Sequence, residues 1–232
     1  MIYSAHRLIG SAPHAKDASF GHCGDFYLDD RCRRMLYLVA DTGDWLSGRK
    51  TLLTPQSLGL IDDEGSYGQI PVDLTRKEIE ESPPIDEAAI VSRHDEERLH
   101  LHYDWAPYWM DGFYTATPTR SVIEQEMIAC DAADVKPDLL STKVMFGYSC
   151  QGEDGRVGRL SDVLLDSETW QAVYLVVDLH PLLPSGLRIV PMEKVAGMSH
   201  LNRSLRLDAT IGCIEEMPTV ELYSNRLTKG DE

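Results

Sequence analysis

The chain is poor in basic residues. Lys and Arg number 22 against 38 Asp and Glu, which leaves a formal charge of −16 at pH 7. Nucleic-acid binding needs a basic footprint to meet the phosphate backbone, and none is found. Docking directly on an anionic membrane surface would also call for clustered Lys and Arg. Long apolar runs are missing too, and no stretch approaches the roughly 20 residues of a membrane-spanning helix. The opening Met1-Ile2-Tyr3-Ser4-Ala5-His6-Arg7-Leu8 lacks the apolar core of a secretory signal. A soluble, acidic, cytoplasmic protein without an integral membrane segment is expected.

Cysteine is sparse. Cys23, Cys32, Cys130, Cys150 and Cys213 are odd in number, scattered, and form no C-x-x-C pair. Free thiols in a reducing compartment are expected, not a disulfide framework. Catalytic signatures are missing as well: there is no G-x-S-x-G, no H-E-x-x-H and no G-x-G-x-x-G. The run Gly43-x-x-x-x-Gly48-Arg49-Lys50-Thr51 imitates a phosphate loop, but Arg49 separates the second glycine from the lysine. Cys23 follows His22, and neighbours on a strand face opposite ways, so the imidazole could not easily activate that thiol. No catalytic residue, cofactor or metal ligand is predicted.

An internal repeat is present. Tyr37-Leu38-Val39-Ala40-Asp41 matches Tyr174-Leu175-Val176-Val177-Asp178 at an offset of 174 − 37 = 137. The same offset relates Gly10 to Gly147, Asp17 to Asp154, Gly21 to Gly158, Asp25 to Asp162, Leu28 to Leu165 and Asp29 to Asp166. Downstream it drifts by a residue or two. Ser47-Gly48 answers Ser185-Gly186, Pro55 answers Pro191, and Ile79-Glu80-Glu81-Ser82-Pro83 answers Ile214-Glu215-Glu216-Met217-Pro218. Such ordered self-similarity is the mark of a duplicated unit.

Each copy reads mainly as short strands. Asp25–Asp29 with Met35–Ala40 forms a hairpin, and Arg159–Leu165 with Trp170–Val177 is its twin. Strands at Thr51–Thr54 and Leu187–Val190 follow. More are expected near Leu58–Ile61 and Ile70–Leu74, with counterparts near Val195–Met198 and Ser204–Leu207. Brief helices, Thr75–Glu81 and Ala209–Glu215, stop before Pro83 and Pro218, because proline cannot continue a helix. The matched aspartates are read as turn formers at turns and strand ends.

The early glycine, the turn with Asp, the Y-L-V-x-D strand, the loop to a proline and the terminal I-E-x-x-P helix together resemble the PRC-barrel family. The resemblance covers roughly 1–84 and 140–220. It implies a mainly β chain, with two small PRC-like barrels in tandem, each ending in a short helix and joined by a partly helical, aromatic-rich linker. The expected boundaries are 1–84, 85–140 for the linker, and 141–232 for the second barrel and tail. Better-understood members of the family act within larger complexes, including the photosynthetic reaction centre, but fold alone implies no activity.

The linker has no repeat partner. Ser92–Tyr103 reads as one polar helical segment, and a second short helix is expected at Ser121–Ala129, where Ser121 and Glu124 fit a capping box. Tyr103, Trp105, Tyr108, Trp109, Phe113 and Tyr114 crowd into twelve residues around Pro107. These rings either pack between the barrels or present a docking surface, since large aromatics supply both cores and interface hot spots. Tyr103, Trp105, Tyr108 and Trp109 are the interface candidates. His94, His100 and His102 lie near Asp95 and Asp104, but residues two apart on a helix diverge, which disfavours a metal site.

The expectation is a non-enzymatic interaction or assembly module whose partner is another protein or a second copy. A peripheral accessory of a membrane redox or photosynthetic complex, and a small-molecule or metal-binding regulator, are the alternatives.

Overall fold

The computed structural model describes residues 1–29, 34–46, 48–61, 69–83, 85, 91–105, 107–110, 139–179 and 186–220. The chain is mainly β. Its first repeat runs β1 (Ile2–Ser4), α1 (Ala5–Leu8), β2 (Ala12–His14), β3 (His22–Leu28), β4 (Met35–Asp41), β5 (Lys50–Leu53), β6 (Gln69–Pro71) and α2 (Arg76–Glu80). The linker contributes α3 (Arg93–Tyr103). The second repeat runs β7 (Leu140–Ser141), α4 (Thr142–Met145), β8 (Ser149–Gln151), β9 (Arg156–Asp166), β10 (Ala172–Asp178), β11 (Leu187–Pro191), β12 (Val195–Ser199), β13 (Ser204–Leu207) and α5 (Ile211–Glu215). No helix among the described residues is long and apolar enough to cross a membrane.

The two repeats pair their strands alike. Leu38 faces Leu53 as Leu175 faces Val190. Strands β2 and β6 run parallel with Pro13 opposite Ile70, and β8 and β13 do the same with Cys150 opposite Leu205. Both hairpins carry two bulges at matching places: Gly24 and Leu36 are the extra residues in one, Ser161 and Val173 in the other. Gly21 and Gly158 are fixed by the same crowding. A Cβ on Gly21 would lie 1.7 Å from the carbonyl oxygen of Asp41, and one on Gly158 would lie 2.1 Å from that of Asp178. Among the described residues the strands of the second repeat form an open path, β11-β10-β9-β8-β13-β12, not a closed ring.

The pairing corrects two sequence matches. Thr42 N donates to the Arg49 carbonyl as Leu179 N donates to that of Gly186, so Gly186 answers Arg49 and not Gly48. Pro191 pairs with Tyr174 at the end of β11. Met192 opens the following 3-10 turn as Pro55 opens its own, so Pro191 answers Thr54. Leu58 bridges Val72 as Val195 pairs with Leu207. The offset therefore holds through Leu58 and changes only before Gln69, later than the shared Pro and Ser-Gly had suggested. Leu58–Ile61 supplies that single bridge and no strand. The expected helix at Ser121–Ala129 lies outside the described residues.

The repeats are locked together by exchange. The short β1 of the first repeat adds to β9 of the second, with Tyr3 opposite Leu165. Reciprocally, β7 adds to β3, with Leu28 opposite Leu140. Arg34 bridges Gln171, its own counterpart, which places the local two-fold axis there. Phe26 stacks on Trp170 across this seam, with centroids 6.4 Å apart. Trp170 is 2% exposed and sits in the hydrophobic cluster that runs through both repeats.

Two aspartates hold the exchanged segments. Asp25 accepts from Thr142 Oγ1 at 2.8 Å, Lys143 N at 3.2 Å, and the Ser141 hydroxyl. Asp162 accepts from His6 N at 2.9 Å and from the Ser4 hydroxyl. Burial pushes the Asp162 carboxyl above its ordinary range, against the hydrogen bonds that hold it down. These are not turn aspartates, as the sequence reading had them. Both lie within strands at a bulge, which turns the side chain toward the neighbouring helix start. Asp17 and Asp154 are also caps, accepting from Arg76 N and Ile211 N at the starts of α2 and α5. Asp29, Asp41 and Asp166 do serve turns, accepting from Arg34 N, Gly43 N and Glu168 N.

Because each carboxylate satisfies several donors of the opposite repeat, Asp25→Ala or Asp162→Ala should each cost about 1–3 kcal/mol in urea unfolding. A surface aspartate such as Asp44 replaced by alanine should cost under about 0.5 kcal/mol. The exchange also predicts the outcome of cutting the linker. A protease site placed between Asp131 and Ala132, once cleaved, should leave the two fragments co-eluting from a native sizing column.

Candidate functional site

Helix α3 opens on a capping box: Ser92 Oγ accepts from Asp95 N, and the Asp95 carboxylate accepts from Ser92 N. It ends at Asp104, whose left-handed backbone (φ 56°) lets Trp105 N reach the His100 carbonyl at 2.9 Å. One face carries Glu96, Leu99, His100 and Tyr103, spaced three or four apart. That face is the buried one, with Glu96 and Leu99 fully covered and His100 2% exposed. The helix therefore buries two carboxylates, Glu96 and Glu97, and an imidazole, which is why it reads as polar.

Strand β4 supplies the partner beneath. The fully buried Tyr37 places its hydroxyl 2.7 Å from His100 Nε2. His100 Nδ1 faces the Trp105 carbonyl at 3.4 Å. A carbonyl can only accept, so Nδ1 carries a proton toward Trp105, while the Tyr37 hydroxyl is shared by His100 Nε2 and the nearby Glu96 carboxyl. Glu96 Oε1 accepts from the Tyr108 hydroxyl at 3.0 Å. Glu96 Oε2 lies 3.1 Å from Arg93 Nη1 but has no aligned hydrogen-bond donor among the described residues. Burial, only partly offset by Arg93, pushes the Glu96 carboxyl up to about 7. Burial and the nearby Glu96 likewise hold the Tyr37 phenol well above its usual range.

The four aromatic candidates form one cluster. Tyr103 stacks on Trp105 at 4.2 Å, and Tyr108 meets Trp109 edge-on at 5.0 Å. His100 stands at the centre, 6.0 Å from Trp105, 6.4 Å from Tyr108 and 4.9 Å from Trp109. The Arg93 guanidinium caps it, 4.2 Å from the Trp109 ring centre. Trp105 is buried, whereas Tyr103, Tyr108 and Trp109 are partly exposed. Among the described residues, the ring and hydrogen-bond partners of this cluster belong to α3 and the first repeat, away from the seam between repeats. Pro107 is buried beside the cluster, while Gly112, Phe113 and Tyr114 lie outside the described residues.

The other sequence candidates separate. His94 and His102 are exposed while His100 is buried, and His102 Nε2 faces the Glu78 carbonyl. Among the described residues no three His, Cys, Asp or Glu side chains gather as for a metal ion. Cys23 and Cys150 are buried, and burial raises both thiols to about 12. The Gly43–Lys50 loop holds a 3-10 turn at Gly43–Leu46. Its Arg49 donates to the carbonyls of Ile79, Glu80 and Ser82, so it caps the end of α2. Arg188 donates to Glu215 and does the same work at α5. Sequence reading missed Glu96 and Arg93, although a carboxylate four residues before a histidine on one helix face was a usable signal.

The raised Glu96 carboxyl makes stability depend on pH. Its folded-state value, about 7, exceeds the ordinary glutamate value of 4.5. The folded form therefore holds its proton more tightly, and the stability this adds is complete below about 4.5 and lost as pH rises through about 7. Glu96→Gln should flatten the fall in unfolding free energy between pH 5 and pH 8 relative to the parent protein. The difference should be on the order of 1–3 kcal/mol, measured by urea titration of both proteins across that range. Equal slopes would place the titration elsewhere.

Neither protein-family models nor curated proteins match this sequence, so the site is interpreted from its own geometry.

Proposed function

We propose that this chain is a non-enzymatic protein-interaction or assembly module built from two tandem PRC-like barrels. It docks a protein partner, or a second copy of itself, through the aromatic cluster of Tyr103, Trp105, Tyr108 and Trp109. The barrel reading draws support from the antiparallel trio β5-β4-β3 and its twin β11-β10-β9, the parallel pairs β2-β6 and β8-β13, and the terminal helix common to both repeats; the described strands stop short of ring closure.

The observation that carries the docking reading is the uneven burial of the cluster. Trp105 is 8% exposed and anchors the group, while Tyr108 and Trp109 stay partly open and are held rigid from below. Arg93 fixes both rings, and Glu96 fixes the Tyr108 hydroxyl. Rings already ordered in the free protein lose little entropy on binding, and aromatic and arginine side chains dominate interface hot spots.

The two layers of the cluster should respond differently to substitution. Trp105→Ala should lower stability by about 3–5 kcal/mol, the cost of emptying a core site. Tyr108→Ala with Trp109→Ala should shift stability by under about 2 kcal/mol. That pair should abolish self-association in sedimentation velocity, or crosslinking of a partner by a photoreactive residue at Asp104. If the double variant associates and crosslinks as the parent does, the docking reading fails.

A further inference from the structure

The outer face of the second repeat carries three arginines with no acidic residue between them. On β9 a bulge at Val157 brings Arg156 opposite Gln151 and Arg159 opposite Ser149. On β13, Arg206 stands opposite Gln151 and Ser204 opposite Ser149. Residues opposite one another across strands share a face. The inward residues Cys150, Val157, Leu160 and Leu205 are buried, and Arg156, Arg159 and Arg206 are exposed. Strands lie about 4.8 Å apart, so Arg206 and Arg156 are roughly 10 Å apart across β8. None of the three arginines makes an ion pair among the described residues. Asp178, opposite Arg159, closes the face on one side, and Glu153 lies in the turn beyond Gln151.

The first repeat provides an internal control. Its equivalent pairs are His14 with Ser19 and, by the same offset, Ala12 with His22; Pro71 stands where Arg206 does. The bridge of His14 to Ser19 and the parallel pairing of His14 with Pro71 form there with serine and proline in place of two of the arginines, and His22 takes the place of the third. The fold therefore does not require arginine there, yet a chain of net charge −16 concentrates three on one face.

We propose that this face docks a short acidic protein segment, an extended stretch presenting two or three carboxylates. Guanidinium and carboxylate match in charge and in bidentate geometry. Ser149, Ser204 and Gln151 supply hydroxyl and amide groups between the arginines for the segment's backbone. The face is small. A long polyanion, nucleic acid or an anionic bilayer, would extend past it over the acidic remainder of the chain, within the roughly 8 Å over which charges are felt. This surface is separate from the linker cluster and does not depend on the reading given to that cluster.

The test is a titration of the whole protein with hexaglutamate, following arginine Nε–H signals by NMR. A single-stranded oligonucleotide and phosphatidylserine vesicles are run in parallel. The peptide should move the signals of Arg156, Arg159 and Arg206. Binding should weaken about tenfold or more in the Arg156→Ala, Arg159→Ala, Arg206→Ala variant, each arginine contributing roughly two- to fivefold. It should also weaken on raising salt from about 50 to about 300 mM. The triple lysine variant should keep most of the binding, which separates lost charge from lost folding; if the triple alanine protein fails to fold, the three single variants decide. Tyr108→Ala with Trp109→Ala should leave the titration unchanged. Peptide signals that move elsewhere, unchanged binding by the alanine variants, or tighter binding of the oligonucleotide or vesicles would each overturn the proposal.

Discussion

Two carboxylates placed at strand bulges hold this molecule together. Asp25 and Asp162 each reach across from one repeat to the start of a short helix belonging to the other. The helices α1 and α4 are too short to hold themselves, since an isolated turn forms fewer bonds than the dihedrals it fixes. Their position depends on the carboxylate that satisfies their free N–H groups, and on the neighbouring strand added to the other repeat's sheet. Removing the bulge would turn the carboxylate to the wrong side. Gly24 and Ser161, the extra residues, are thus as much part of the interaction as the aspartates are.

The same economy recurs at other helix ends. Asp17 and Asp154 secure the starts of α2 and α5, while Arg49 and Arg188 secure their ends. The two arginines are not at equivalent positions, since the register places Arg188 opposite Val177 as Thr51 is placed opposite Ala40. The duplicated fold therefore preserves the contact and not the position. Arginine has a long stem and a planar fork of donors, so it can reach the same carbonyls from neighbouring sites.

Much of the architecture was legible in the sequence. The hairpin of Tyr37–Asp41 and its twin announced themselves through apolar runs bounded by turn residues, and the two short terminal helices through the prolines that stop them. The exchange was not legible. Strands of two or three residues carry no periodic signal, and their partners lie far away in the chain. Asp25 and Asp162 looked like turn residues because aspartate does serve turns, as it does at Asp41 and Asp166. In the linker the aromatic residues were visible as a cluster, but their support was hidden. Glu96 and His100 occupy places where a hydrophobic pattern would put leucine, and burying them needed Tyr37 from a distant strand.

The exchange also sets a timetable for synthesis. Ser4 and Asp162 are 158 residues apart, so β1 must wait for β9 to be made. At the roughly 5–20 residues per second of translation, that wait lasts on the order of 10–30 s. For a shorter part of that interval, the 140 − 28 = 112 residues between Leu28 and Leu140, the end of β3 lacks its partner, and its open edge is available to any strand that passes. In a crowded polysome the neighbouring nascent chain carries an identical segment. The charge on the chain then acquires a second meaning: residues 1–139 already carry 13 − 25 = −12, so nascent copies repel one another during the period when their edges are uncovered.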